Sequence, residues 1–125
     1  MRAFRATLLL CFLALLLGCN GGRMTRPYYP DTGGDAVQGK KVIAKYGCGA
    51  CHTIPGIHAA NGVVGPPLYF WGRRTMIAGE LPNTPENLVR WLQDPPSAEG
   101  GTAMPKLGLS DQQARDAAAY LYTLR

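Results

Sequence analysis

Five residues near the middle of the chain, Cys48-Gly49-Ala50-Cys51-His52, restrict its fold more than any other feature. Two thiols three positions apart are too close in sequence to cross-link distant parts of a chain, and the other two cysteines, Cys11 and Cys19, fall in an apolar N-terminal stretch, so a disulfide framework is excluded. Composition adds a second condition. Sixteen Gly and ten Pro make up about a fifth of the 125 residues, nearly twice average usage. A chain with so much loop needs something besides side chains to fill its middle. At 46% hydrophobic and 17% charged residues it is nevertheless not disordered by composition, and its length fits one domain.

Three chemistries use closely spaced Cys and His. The two thiols can each add to one vinyl group of a haem while the adjacent imidazole faces the iron, the pattern of haem c attachment. A thioredoxin-like redox pair would want a strand before it and a βαβ context, which the sequence lacks. A zinc site would need a fourth ligand after Cys48, Cys51 and His52; His58 is near, and carboxylates remain open.

The N-terminus reads in three phases: basic Arg2 and Arg5, an apolar run over residues 6–17, then Gly18 and Cys19. About a dozen apolar residues are too few for a spanning helix, which needs ~20, and suit a signal peptide over residues 1–18. Leu16-Leu17-Gly18-Cys19 resembles the bacterial lipoprotein cleavage box, in which the Cys becomes the first mature residue and carries lipid. The expectation is an exported protein, anchored by Cys19 to a bacterial membrane and facing the periplasm or cell exterior. A flexible tether over residues 19–34, containing Arg23 and Arg26, then leads to a folded domain over residues 35–125. After residue 18 there remain eleven bases against eight acids, a charge of +3. That is no footprint for nucleic acid, which wants a basic stripe.

Three helical patterns follow. Residues 35–46 place Val42, Ile43 and Tyr46 at helical spacing, with Asp35 in the first turn and Gly47 as the stop. Residues 85–93 start with Thr84 as N-cap and Pro85 at the first position, present Leu88, Trp91 and Leu92 on one face, and end before Pro95. Residues 111–124 carry Ser110 as cap, Gln113 in the capping-box position, and a stripe of Ala114, Ala117, Ala118, Leu121 and Leu124. A shorter helical piece is expected around residues 69–78, weakened by Gly72. No stretch alternates as a strand would, so the fold class is all-α: three main helices, one short helix and long loops.

Taken with the haem motif, Gly39-Lys40-Lys41-Val42-Ile43, Gly65-Pro66-Pro67-Leu68, Ala103-Met104-Pro105 and Ala119-Tyr120-Leu121 make residues 34–125 resemble the small monohaem class I cytochromes c. The stretch over residues 74–88, from Arg74-Thr75-Met76 through Leu81-Pro82-Asn83-Thr84-Pro85 to Leu88, is also similar to the cytochrome c domain of subunit II in some bacterial haem-copper oxidases. The resemblance implies one covalent haem c on Cys48 and Cys51, with His52 as an axial iron ligand. It implies that the Pro66 carbonyl accepts from the His52 ring, and that the first and last helices cross at Gly39, where Tyr120 and Ile43 pack. An aromatic often stands where Ile43 does. The second axial ligand is expected from a loop on the opposite haem face; Met104, in a Gly-rich loop before the last helix, suits it, with Met76 and His58 as rivals. Trp71, Arg73, Arg74 and Trp91 are candidate partners for the anionic haem propionates.

With both axial positions filled there is no open site for substrate and no catalytic residue to name. The expected function is one-electron transfer with redox-protein partners, to or within a respiratory complex such as a terminal oxidase, rather than an enzyme reaction. A haem enzyme or gas sensor with a labile distal ligand is the alternative. Lys40, Lys41 and Lys45 lie on the first helix, where Lys41 and Lys45, four apart, share a face that offers a basic rim for docking.

Overall fold

The computed structural model describes residues 29–125, so the expected signal peptide, Cys11, Cys19 and most of the expected tether lie outside the described residues. Helix α1 spans Ala36–Lys45. Asp35 is its N-cap rather than part of its first turn, because its carboxylate accepts the Gln38 N–H at 2.8 Å and so satisfies a backbone donor that has no partner inside the helix. Tyr46 closes the helix, and Gly47 turns the chain at φ 67°. Helix α2 spans Pro85–Gln93, capped by the Thr84 hydroxyl. Helix α4 spans Asp111–Thr123 behind a complete Ser110/Gln113 capping box, with Leu124 as its C-cap rather than its last residue.

Two elements depart from the expectation. Pro95 does not simply end α2: with Asp94 as N-cap it opens a one-turn helix, α3, over Pro95–Ala98, and its ring is fully buried. The helical piece expected over residues 69–78 shrinks to a single 3₁₀ turn, Trp71–Arg73, entered through Phe70 at φ 54°. Beyond it stands a small antiparallel hairpin, β1 (Met76–Ile77) and β2 (Leu81–Pro82), with Met76 opposite Pro82 and Ile77 opposite Leu81. Two-residue strands are too short for alternation to register, which is why the fold looked purely helical in sequence. Among the described residues the fold is mostly α, four α-helices with this hairpin. Among the described residues no helix is long and apolar enough to cross a membrane.

The frame is the crossing of α1 on α4, the most extensive contact between elements, with α2 and the Trp71–Arg73 turn laid against other parts of α4. A Cβ on Gly39 would overlap the Asp116 carbonyl and stand 3.0 Å from the Tyr120 Cβ, so only glycine permits this approach. The chief neighbour is thus Asp116 backbone, with Tyr120 beside it. Ordered contacts begin before residue 35: the buried Thr32 hydroxyl donates to the Arg115 carbonyl at 3.0 Å, and the Asp35 N–H donates to Asp116 Oδ1 at 2.8 Å. Residues 32–34, assigned to the tether by composition, are therefore docked on α4.

Ile43, Ile77, Leu88, Ala117 and Leu121 form the middle of the core, together with Trp71 and Trp91. Burying each large aliphatic contributes ~1.5–3 kcal/mol. Leu124, placed on the buried stripe by its spacing, is only half-buried, whereas Tyr120 and Tyr122 are buried by contacts from outside the helix.

Candidate functional site

The site starts at the end of α1. Gly47 reverses the chain into a 3₁₀ turn, Cys48–Ala50, whose backbone bonds run from Ala50 N–H to Gly47 O (2.9 Å) and from His52 N–H to Cys48 O (3.0 Å). One turn thereby brings Cys48, Cys51 and His52 to the same cavity wall. Both cysteines are free; Cys48 is half-buried and Cys51 exposed. Burial pushes the Cys48 thiol up, with the neighbouring Cys51 adding to the shift. The element before the motif is a helix, not the strand that a thioredoxin-like pair would want. Among the described residues no three His, Cys, Asp or Glu side chains gather into a metal-holding group, which counts against zinc.

His52 Nδ1 lies 2.7 Å from the Pro66 carbonyl. A carbonyl only accepts, so Nδ1 carries the proton and the Nε2 lone pair is left for a metal. Gly65 makes room for that ring, since a Cβ there would lie 2.7 Å from Nδ1 and 2.9 Å from Nε2. The Gly65 N–H in turn donates to the Cys51 carbonyl at 2.8 Å, folding the Val63-Val64 loop back over the motif.

The cavity has a volume of about 580 Å³ and a largely apolar lining. Met104 reaches it from the loop between α3 and α4, half-buried and packed against the core, its N–H held by the Thr102 hydroxyl at 3.1 Å. Met76 reaches it too, from β1, and is 41% exposed. His58 is exposed and does not line the cavity. Of the four candidate propionate partners, Trp71, Arg74 and Trp91 line the wall, whereas Arg73 stands outside it with its guanidinium 5.4 Å from the Phe70 ring centre. Trp71 Nε1 is the one buried side-chain polar atom among the described residues that lacks a hydrogen-bond partner. Arg74 stacks over the Trp71 ring at 5.1 Å and donates to the Pro67 carbonyl.

Sequence reasoning missed two residues behind this wall. The Asn83 amide donates to the Arg74 carbonyl at 2.9 Å and to the Trp71 carbonyl at 3.4 Å, and the Tyr122 hydroxyl donates to Asn83 Oδ1 at 2.9 Å. In sequence Asn83 is an unremarked member of the stretch over residues 74–88, and Tyr122 one more aromatic in the last helix.

The family model described as Cytochrome c matches residues 36–125. The chain belongs to the cytochrome c family. It is also similar to proteins named cytochrome c oxidase subunit 2. With that of Alkalihalophilus pseudofirmus (strain ATCC BAA-2126 / JCM 17055 / OF4) it is 36% identical over 91 residues, which are 72% of this chain and 26% of the relative. With that of Bacillus subtilis (strain 168) it is 34% identical over 85 residues, 63% of this chain and 24% of the relative. With that of Bacillus sp. (strain PS3) the figures are 32% over 94 residues, 72% and 26%. The chain thus spans about a quarter of the length of these relatives. Both likenesses read from the motifs, to monohaem cytochromes c and to oxidase subunit II, are met.

A cytochrome c domain implies haem c, and the cavity fits that group on its own terms. It is apolar where a ring would be buried, and it carries two thiols and an imidazole with a free nitrogen on one wall.

Proposed function

We propose that this chain is a one-electron carrier holding one haem c, attached through Cys48 and Cys51 with His52 and Met104 as axial iron ligands, and anchored to a membrane through Cys19. The observation that carries the reading is the convergence on one apolar cavity of the Cys48–Ala50 turn, the His52 ring with its proton on Nδ1, and Met104 from a separate loop. Haem, when bound, supplies the one-electron ferrous–ferric couple.

The chain's own residues do the rest. Cys48 and Cys51 would hold the group covalently. The Pro66 carbonyl keeps the His52 proton on Nδ1 and makes the other nitrogen more basic. Ile43, Ile77, Leu88 and Leu121 keep water from the cavity wall. Met104 is preferred to Met76 because it is half-buried against the core, while Met76 stands on a hairpin strand and is 41% exposed. A thioether ligand favours the ferrous state relative to a second imidazole and raises the potential. With both positions taken by side chains no coordination site is left for substrate, which favours a carrier over a haem enzyme.

The similarity to proteins named cytochrome c oxidase subunit 2 supports a haem-copper oxidase as the complex to or within which the electron passes. Purified from membranes, the protein should retain its haem through acid–acetone extraction, lose it when Cys48 and Cys51 are both replaced by Ser, and co-purify with a terminal oxidase. Haem that washes out of the wild type would refute the covalent part of the proposal. A cytochrome that separates cleanly from every oxidase would refute permanent residence in that complex.

A further inference from the structure

We infer that Tyr29, Phe70, Arg73 and Arg125 form a contact surface for the headgroups of an anionic lipid bilayer, which seats the folded domain on the membrane in one orientation. The inference rests on the anchoring at Cys19 proposed above and goes beyond it by naming the face of the domain that meets the lipid.

The lead from Cys19 joins the domain at a fixed place, because residues 29–35 are laid on α4 before α1 begins. The Thr32 hydroxyl donates to the Arg115 carbonyl at 3.0 Å, and the Thr32 carbonyl accepts from the Arg115 guanidinium at 3.2 Å. The Gln112 amide donates to the Gly33 carbonyl at 3.3 Å. At Gly34 a Cβ would stand 2.3 Å from the Arg115 carbonyl, so the segment lies flush against the helix. Tyr29 sits beyond the other end of α4, with the Arg125 guanidinium 5.0 Å from its ring centre. Ten residue steps separate Cys19 from Tyr29, which reach at most ~36 Å when fully extended and span ~17 Å on average if flexible. The surroundings of Tyr29 are therefore the part of the domain held nearest to the lipid.

Those surroundings are aromatic and cationic. The Arg125 stem packs on Gly72, where a Cβ would lie 3.1 Å from its Cγ, and the Gly72 N–H donates to the Leu124 carbonyl at 2.9 Å. Next to Gly72, Arg73 is exposed with its guanidinium 5.4 Å from the Phe70 ring centre. Among the described residues the ion pairs join Lys106 to Asp94 and Arg115 to Asp111, so no carboxylate neutralises Arg73. Asp31, the acid nearest to Tyr29 in sequence, accepts the Gly33 N–H at 2.8 Å. Arg23 and Arg26 add positive charge to the lead itself.

Phe70 supplies an independent argument. Its backbone stands at φ 54° and ψ 30°, in the left-handed region that glycine adopts freely and a bulky residue rarely does. The ring held there is 58% exposed, and that of Tyr29 48%, so neither gains much from burial within the domain. Aromatic rings settle at the headgroup level of a bilayer, guanidinium groups pair with phosphate, and an anionic leaflet draws basic residues to it. Two exposed rings, each beside a guanidinium, match that interface.

The test is hydrogen–deuterium exchange of the full-length, haem-loaded protein held by its own anchor in vesicles, either of equimolar phosphatidylglycerol and phosphatidylcholine or of phosphatidylcholine alone. Mass spectrometry of the Cys19 peptide comes first: a chain without acyl groups fails the anchoring reading and the inference with it. In the acylated protein, amides of residues 29–31 and 70–73 should exchange about fivefold more slowly on the anionic vesicles, the occupancy that one arginine beside such a surface supplies. The difference should vanish at about 0.5 M salt, where screening acts within a few ångströms. Phe70→Gly, which suits the left-handed backbone, combined with Arg73→Gln should abolish it. Arg73→Gln alone should weaken it, and serves should the pair not fold. Lys41→Glu with Lys45→Glu should leave it in place. Acylated protein that exchanges equally on both vesicles, or a difference that survives the Phe70 and Arg73 substitutions and disappears with the lysines, would overturn the inference.

Discussion

One carbonyl decides the chemistry of His52. With Pro66 accepting from Nδ1, the other nitrogen is left free to ligate, and Gly65 is the neighbour that gives the ring its space. Gly65→Ala would place a methyl group inside the van der Waals radius of both ring nitrogens, so the imidazole must turn. The expected outcome is lower haem incorporation and a loss of the low-spin six-coordinate absorption spectrum; an unchanged spectrum would show that the ring has slack the structure does not. At Met104 the outcome is different in kind. Met104→Ala should leave covalent haem in place, lower the potential, and let carbon monoxide bind the reduced iron, while Met76→Ala should do none of these. The opposite pattern would move the distal ligand to β1.

At the scale of elements, the α1–α4 crossing depends on the absence of one Cβ. Gly39→Ala drives a methyl into the Asp116 carbonyl, and overpacking against backbone costs ~1–3 kcal/mol or more. For a domain of this size Tm should fall by at least ~5 °C, and a calorimetric Tm within a degree of wild type would contradict the geometry. The tie between α4 and the β2–α2 connection has a signature in pH. Burial, with Glu86 adding to it, pushes the Tyr122 phenol up to about 12 from its usual 10.0. Between those values the unfolded chain gives up a proton that the folded chain retains. Stability is therefore full below pH 10 and falls as the pH rises toward 12. Tyr122→Phe should flatten that alkaline decline at a cost of about 1 kcal/mol at neutral pH. Burial raises Tyr120 as well, so part of the slope will survive in the variant. A slope identical to wild type in urea melts at pH 9 and 11 would remove Tyr122 as its source.

At the scale of the whole molecule, the proposed docking depends on charge and the proposed anchoring on Cys19. Lys41 and Lys45 are exposed on one side of α1, Lys41 beside Gln38 at 3.4 Å and Lys45 over the Tyr46 ring at 5.8 Å. If this face steers docking onto an acidic partner, electron-transfer rates should fall as salt passes ~0.1 M, where the Debye length is ~10 Å. Lys41→Glu with Lys45→Glu should slow transfer at low salt and leave the haem spectrum alone. Rates indifferent to both changes would point to an apolar contact or permanent residence in a complex. For anchoring, Cys19→Ser should release the cytochrome from membranes or stall its processing, whereas Cys11→Ser should have no effect. Mass spectrometry that finds residues 1–18 in the mature protein would exclude the lipoprotein reading.

The features legible in the amino-acid sequence are those whose physics is local. The thiols and imidazole of residues 48–52 fall within one turn, so their arrangement on one cavity wall could be read from spacing alone. The hydroxyl caps of Thr84 and Ser110 act within three residues, so the starts of α2 and α4 could be read directly. The crossing at Gly39 was readable only through likeness to a family. Tertiary structure alone decided which candidates share a cavity. Arg73 and Arg74 are neighbours in sequence, yet one stacks on Phe70 outside the wall and the other on Trp71 within it, because Arg73 ends the 3₁₀ turn and Arg74 leaves it in an extended conformation. Met76 and Met104 reach the cavity and His58 does not, which depends on how loops close rather than on the residues beside them. Asn83 left no trace in sequence, since its partners lie at positions 71, 74 and 122, and an amide that bridges two carbonyls has no periodicity to betray it.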